Sequence, residues 1–113
     1  MEQLDVLTID VTEAADAVLI RCSGRLISSA SGGFQREVKR LIPQAPRITI
    51  DLTGVTFMDS MGLGTIAALY VSAKKAGCEL QLINLTPRVR ELFSITHLLS
   101  LFEPCGESNI PIG

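Results

Sequence analysis

The sequence predicts a single α/β domain built on a mixed four- to five-stranded sheet, with helices mainly on one face. Three observations predict it. Segments alternating apolar and polar residues take turns with segments of helical spacing. The strand-like segments alternate rather than running wholly apolar, so one sheet face is expected to meet water. The length, 113 residues, suits one domain. With 47% hydrophobic residues a core is available without a metal or disulfide.

Composition narrows the function classes. The net charge is −2, and no basic run provides the clustered Lys/Arg that nucleic-acid phosphates require, so no direct nucleic-acid partner is expected. Cys22, Cys78 and Cys105 are far apart and odd in number, which reads as free thiols in a reducing compartment. No segment approaches the ~18 apolar residues of a membrane span, so no membrane insertion is expected. The start, Met1-Glu2-Gln3, lacks a basic, signal-like region. The expected location is cytoplasmic.

The elements follow in order. Val6 to Val11 alternates, with Leu7, Ile9 and Val11 on one face; after a polar turn at Glu13 to Asp16, Val18 to Ser23 alternates again. The short link predicts an antiparallel hairpin. Gly24 to Ser31 reads as a Ser/Gly loop. Phe34, Val38, Leu41 and Ile42 then form a helical stripe that Pro43 and Pro46 end. Ile48, Ile50 and Leu52 give a third strand, parallel to the second through a right-handed crossover. A second helix is predicted over Leu63 to Lys75, with Ile66, Leu69, Ala73 and Ala76 facing inward. Lys74 and Lys75 favour its C-terminal dipole, and Gly77 caps it. Leu80 to Asn84 is a fourth strand. Thr86-Pro87 opens a third helix, Thr as N-cap and Pro at its first position, with Val89, Leu92 and Phe93 as its stripe. Leu98 to Phe102 is a candidate fifth, edge strand. The domain is expected to end near residue 103, and 104–113, with Pro111 and two glycines, reads as an irregular tail.

Between the third strand and the second helix stands Phe57-Met58-Asp59-Ser60-Met61-Gly62-Leu63-Gly64. It places the Ser60 hydroxyl at a helix mouth beside a carboxylate. A hydrolase elbow requires a small residue two positions before the serine, where this chain has Met58, and an acid and then a histidine after it. No aspartate follows Ser60, and the sole histidine is His97. A phosphate-binding P-loop needs a lysine that Gly62-Leu63-Gly64-Thr65 lacks, and a dinucleotide fingerprint needs a third glycine where Ala67 stands. Asp51 and Asp59 have no ligand neighbours at metal spacing. Asp59 or Ser60 is a good N-cap, worth typically ~1 kcal/mol. Capping leaves Gly62 and Gly64 unexplained, since each costs up to ~1 kcal/mol against Ala inside a helix. Something is therefore expected to approach this backbone closely, either another helix of the protein or a partner.

Asp51-Leu52-Thr53-Gly54-Val55-Thr56-Phe57-Met58-Asp59-Ser60-Met61-Gly62-Leu63-Gly64 resembles the signature of STAS-domain anti-sigma factor antagonists. The resemblance extends to the opening strands and to Leu82 through Phe93. It implies a STAS-like domain over residues 1–103 that binds a protein and catalyses nothing, with no cofactor. By resemblance, Ser60 is phosphorylated by an anti-sigma factor that is also a serine kinase. The unphosphorylated form sequesters that partner and frees the sigma factor, and a serine phosphatase resets the switch. The implied partner surface is Asp59, Ser60, Met61, Gly62, Leu63 and Gly64, with Arg25 and Ile27 from the Gly24 loop. Family members often carry acids in that loop, where this chain has Gly24-Arg25-Leu26-Ile27, and Met61 stands where a small hydroxyl residue is common. A non-switching scaffold or accessory subunit, docking through exposed residues such as Ile27, is the alternative.

Overall fold

The computed structural model describes residues 2–95 and 109–112. The strands are β1 (Glu2–Leu4), β2 (Leu7–Glu13), β3 (Val18–Leu26), β4 (Arg47–Met58), β5 (Glu79–Ile83) and β6 (Asn109–Ile112). The helices are α1 (Ser28–Leu41), extended by a 3-10 turn at Ile42–Gln44, α2 (Ser60–Ala76) and α3 (Pro87–Ile95). The strands form one mixed sheet in the order β1-β2-β3-β4-β5-β6. β3 and β5 run parallel to β4, and the remaining neighbours are antiparallel.

The alternation seen in the sequence sorts the two faces. Leu7, Ile9, Ile20, Ile48, Ile50, Leu80 and Leu82 are buried in one cluster with Phe34 and Val38 of α1, Ile66 and Leu69 of α2, and Val89 and Phe93 of α3. Their alternates Thr8, Asp10, Arg21, Thr49, Asp51 and Gln81 remain partly or fully exposed on the other face. The helices thus cover one face, as expected from strands that alternate rather than run apolar.

Several boundaries depart from expectation. The predicted Gly24–Ser31 loop is almost absent: β3 continues to Leu26, α1 begins at Ser28, and Ile27 alone joins them. Gly24, at φ +107, makes the bend that lets β3 continue, because a Cβ there would lie 2.2 Å from the Val6 carbonyl oxygen. Ser31 lies inside the helix, where its N–H and its buried hydroxyl both donate to the Ile27 carbonyl. β4 runs six residues past Leu52 to Met58, carrying the first half of the motif as strand. Its register against β3 shifts between Arg21 and Ser23 and again between Gly24 and Arg25. Gly54 permits this close crossing, since an added Cβ would stand 2.6 Å from that of Ser23.

The sheet is also wider than the predicted four to five strands. β1 turns back onto β2 through Asp5, whose φ of 59 suits a short polar side chain. Part of the presumed irregular tail is β6, an edge strand that admits Pro111 because one of its sides needs no ladder donor. Ala76, expected to be buried, is exposed at the end of α2. Gly77 caps that helix at φ 74 as predicted. Leu98–Phe102, His97 and Cys105 lie outside the described residues.

Candidate functional site

The end of β3, the start of α1, the end of β4 and the start of α2 meet at one corner of the domain. Asp59 is the N-cap of α2 in extended conformation, and its Oδ1 accepts from the Gly62 N–H at 2.9 Å. Its Oδ2 accepts from the Ser28 N–H, also at 2.9 Å, at the start of α1. Ser60 follows as the first residue of α2, with its side chain exposed. A hydroxyl there stands at the positive end of a helix dipole, where added negative charge is tolerated.

The eight residues singled out in the sequence fall into three groups. Arg25, Ser60, Met61 and Gly64 are exposed, Met61 at 57%. Asp59 and Ile27 are half-buried, so Ile27 is a poorer exposed anchor than the sequence suggested. Gly62 and Leu63 are buried. The two glycines therefore have different reasons. A Cβ on Gly62 would lie 2.2 Å from the Leu26 carbonyl oxygen, so the chain itself makes the close approach there, through the end of strand β3 and not through a helix as expected. A Cβ on Gly64 would meet nothing within 4 Å, leaving open backbone surface one helical turn beyond Ser60.

The tertiary structure adds residues that local patterns left aside. A groove of about 460 Å³ beside the motif is lined by Phe57, Met58 and Asp59 on one side and Arg88, Glu91, Leu92 and Ile95 of α3 on the other. The Arg88 guanidinium stacks over the Phe57 ring at 5.1 Å. Phe57 and Ile95 are 37% and 67% exposed, so this groove beside Asp59 presents apolar side chains to the surface. Phe57 and Arg88 are far apart in sequence, and neither segment's periodicity signals their contact.

The opposite, open sheet face holds a second cavity of about 260 Å³, lined in part by Thr8, Asp10, Arg21, Ser23, Asp51 and Thr53. Burial alone would raise the Asp51 pKa. Hydrogen bonds from the Thr53 hydroxyl and N–H and from the Asn84 amide, with attraction to Arg21, outweigh burial and hold the carboxyl below its ordinary value. Asn84, at φ 58, ends β5 in the conformation that aims its amide there.

The STAS domain family model matches residues 8–109. The chain belongs to the STAS domain family. This STAS domain is 28% identical to the anti-sigma-B factor antagonist of Bacillus subtilis (strain 168), over 90% of this chain and 94% of that protein. Among solved structures it resembles the anti-sigma factor antagonist SpoIIAA in its unphosphorylated form, with a TM-score of 0.71 and 23% identity, covering 80% of this chain and 82% of that one. The Bacillus cell fate determinant SpoIIAA in its phosphorylated form matches with a TM-score of 0.67 and 22% identity, over 80% of this chain and 85% of that one. The structural likenesses establish the STAS fold. Among the described residues, no helix of this STAS domain is long and apolar enough to cross a membrane.

Proposed function

We propose that this protein is an anti-sigma factor antagonist, a protein-binding switch whose phosphoacceptor is Ser60. The observation that carries the reading is the setting of Ser60: an exposed hydroxyl at the first position of α2, with exposed Met61 next to it, open backbone at Gly64, and a groove beside Asp59 into which Phe57 and Ile95 bring apolar surface. Such a surface suits a partner that covers the serine. Kinship with an antagonist of an anti-sigma factor supports an anti-sigma factor as the partner. In this proposal that partner is also the serine kinase that modifies Ser60, and a serine phosphatase reverses its action.

Charge explains how the switch works. A phosphoserine adds roughly −1.5 to −2 charges. At the start of α2 the helix dipole accommodates them, so the fold is retained. A partner covering that spot would have to bury them, and unfavourable charge juxtaposition costs several kcal/mol. A loss of that size moves a complex from mostly bound to mostly free. Arg25 replaces an acid frequent at this position in the family, so the matching surface of the partner is expected to carry an acid.

Incubation with the cognate anti-sigma factor kinase and ATP, followed by peptide mass spectrometry, tests the assignment. One phosphate is expected on Ser60 and none on a Ser60→Ala variant. Phosphate that persists in Ser60→Ala, or its absence from the wild type, rejects Ser60 as the switch. With Ile27 half-buried, constitutive docking through that residue has lost its support.

A further inference from the structure

We propose that Asp59 is the positioning residue of this surface: its two carboxylate oxygens join the first turn of α1 to the first turn of α2 and hold Arg25, Ile27 and Ser28 in a fixed place beside Ser60. The functional consequence rests on the reading of Ser60 given above. The structural part stands on the hydrogen bonds alone.

The first N–H groups of a helix have no partner within it. For α2 the remedy is local, since Asp59 precedes the helix and accepts from Gly62 at 2.9 Å. For α1 no local remedy exists. Ile27 occupies its N-cap position with no polar side chain, and the first turn holds no acid. The Ser28 N–H instead donates to Asp59, 31 residues along the chain. One side chain thus caps two helices.

A carboxylate is the side chain suited to both tasks. A Ser or Thr hydroxyl has a single oxygen. Asn has one oxygen and an NH₂ group, which would turn a donor toward one of the two N–H groups. The electrostatics agree, because each helix start carries roughly half a positive charge and one carboxylate carries a full negative charge. The junction is close even without the side chain: the Asp59 N–H donates to the Leu26 carbonyl at 3.4 Å, and Gly62 leaves room for that same oxygen. With both oxygens engaged inside the domain and the residue half-buried, Asp59 acts through the segments it joins. A partner that reads the Arg25 side and the Ser60 side together meets them in one fixed arrangement.

Two variants separate this role from a direct partner contact. Asp59→Asn keeps one acceptor oxygen and the α2 cap, and gives up the bond from Ser28. Ser28→Pro removes the donor and sets the ring's Cδ where the N–H pointed, so the Asp59 carboxylate must turn away from α1; Ile27 is already extended at φ −121 and ψ 178, which suits a residue before proline, and proline is accepted at a helix's first position. The first measurement is amide hydrogen exchange on the free protein, with no partner present. In both variants the Ala30 and Ser31 amides are expected to exchange roughly five-fold faster or more, the equivalent of one lost cap. The Ile66 to Leu69 amides are expected to keep the wild-type rate. Unchanged exchange at Ala30 and Ser31 in both variants overturns the proposal. The second measurement is affinity for the anti-sigma factor kinase that modifies Ser60 in the wild type. Both variants are expected to bind more weakly by similar factors, with the double variant no weaker than either single one. Additive losses, or a loss confined to Asp59→Asn, overturn the positioning role in favour of direct contact. If no such kinase modifies Ser60, the switch reading fails, and the exchange measurement still decides whether Asp59 joins the two helices.

Discussion

Gly62 and Gly64 lie two positions apart on one helix and answer to different neighbours. At Gly62 the neighbour is backbone, the Leu26 carbonyl, which no rotamer change can move aside. Gly62→Ala is therefore expected to lose about 1–3 kcal/mol, the usual range for overpacking. Gly64→Ala, in open space, is expected to gain up to ~1 kcal/mol from helix propensity while weakening partner binding. Urea unfolding of the two variants checks the contrast, and equal effects would remove the distinction. Asp51 supplies a pH prediction at the same scale. Its folded-state pKa lies below its unfolded value, so the stability it contributes is full above the ordinary carboxylate value and is lost as pH falls from there through the lowered folded-state value. Asp51→Asn is expected to flatten the acid limb of a stability–pH profile, and an unaltered limb would contradict that.

At the scale of elements, α3 is held by a cap and an anchor. The Thr86 hydroxyl accepts from the Val89 N–H at 3.4 Å and donates to the Val55 carbonyl at 3.1 Å, tying the helix start to β4. Thr86→Ala is expected to cost about 0.5–2 kcal/mol in thermal or denaturant unfolding. Phe93 is wholly buried against the core, and Phe93→Ala is expected to cost roughly 3–5 kcal/mol. Because α3 forms one wall of the groove beside Phe57, Phe93→Ala should also weaken partner binding without touching the partner. Binding that survives in a folded Phe93→Ala protein would show that this wall is not used. The Thr86 cap was legible in the sequence because Thr-Pro is a local start signal. Its second bond, to Val55, was not, because it depends on how β4 passes the helix.

The whole molecule sets the reactivity of its thiols. Burial, with a smaller contribution from Asp51, pushes the Cys22 thiol up to about 12, so it stays protonated and unreactive at neutral pH. Cys78 is buried too, and its pKa is raised by desolvation and by Glu79. The unfolded chain releases these protons at lower pH than the folded one, so stability is full below the ordinary thiol value and falls as pH rises from about 9 toward 12. Denaturant unfolding at pH 7 and pH 10 should show the loss, and Cys22→Ala should reduce it. Equal pH sensitivity in the variant would exclude Cys22 as its source.

What the sequence determined by itself was periodic and local. Alternation placed the four central strands, with the helices on one face of their sheet; helical spacing and cap residues placed α2 and α3; and the run around Ser60 marked the corner where recognition is proposed. These features depend on a residue and its near neighbours along the chain. The tertiary structure alone decided which surfaces those residues meet. It carried β3 through Gly24 because a bend and two register shifts let β4 continue beside it. It turned Gly62 inward toward Leu26 and left Gly64 open. It brought the Ser28 N–H to Asp59 across 31 residues, and with that made one carboxylate the cap of two helices. No periodicity encodes such contacts, because they arise only when two separately legible segments pack at the same corner.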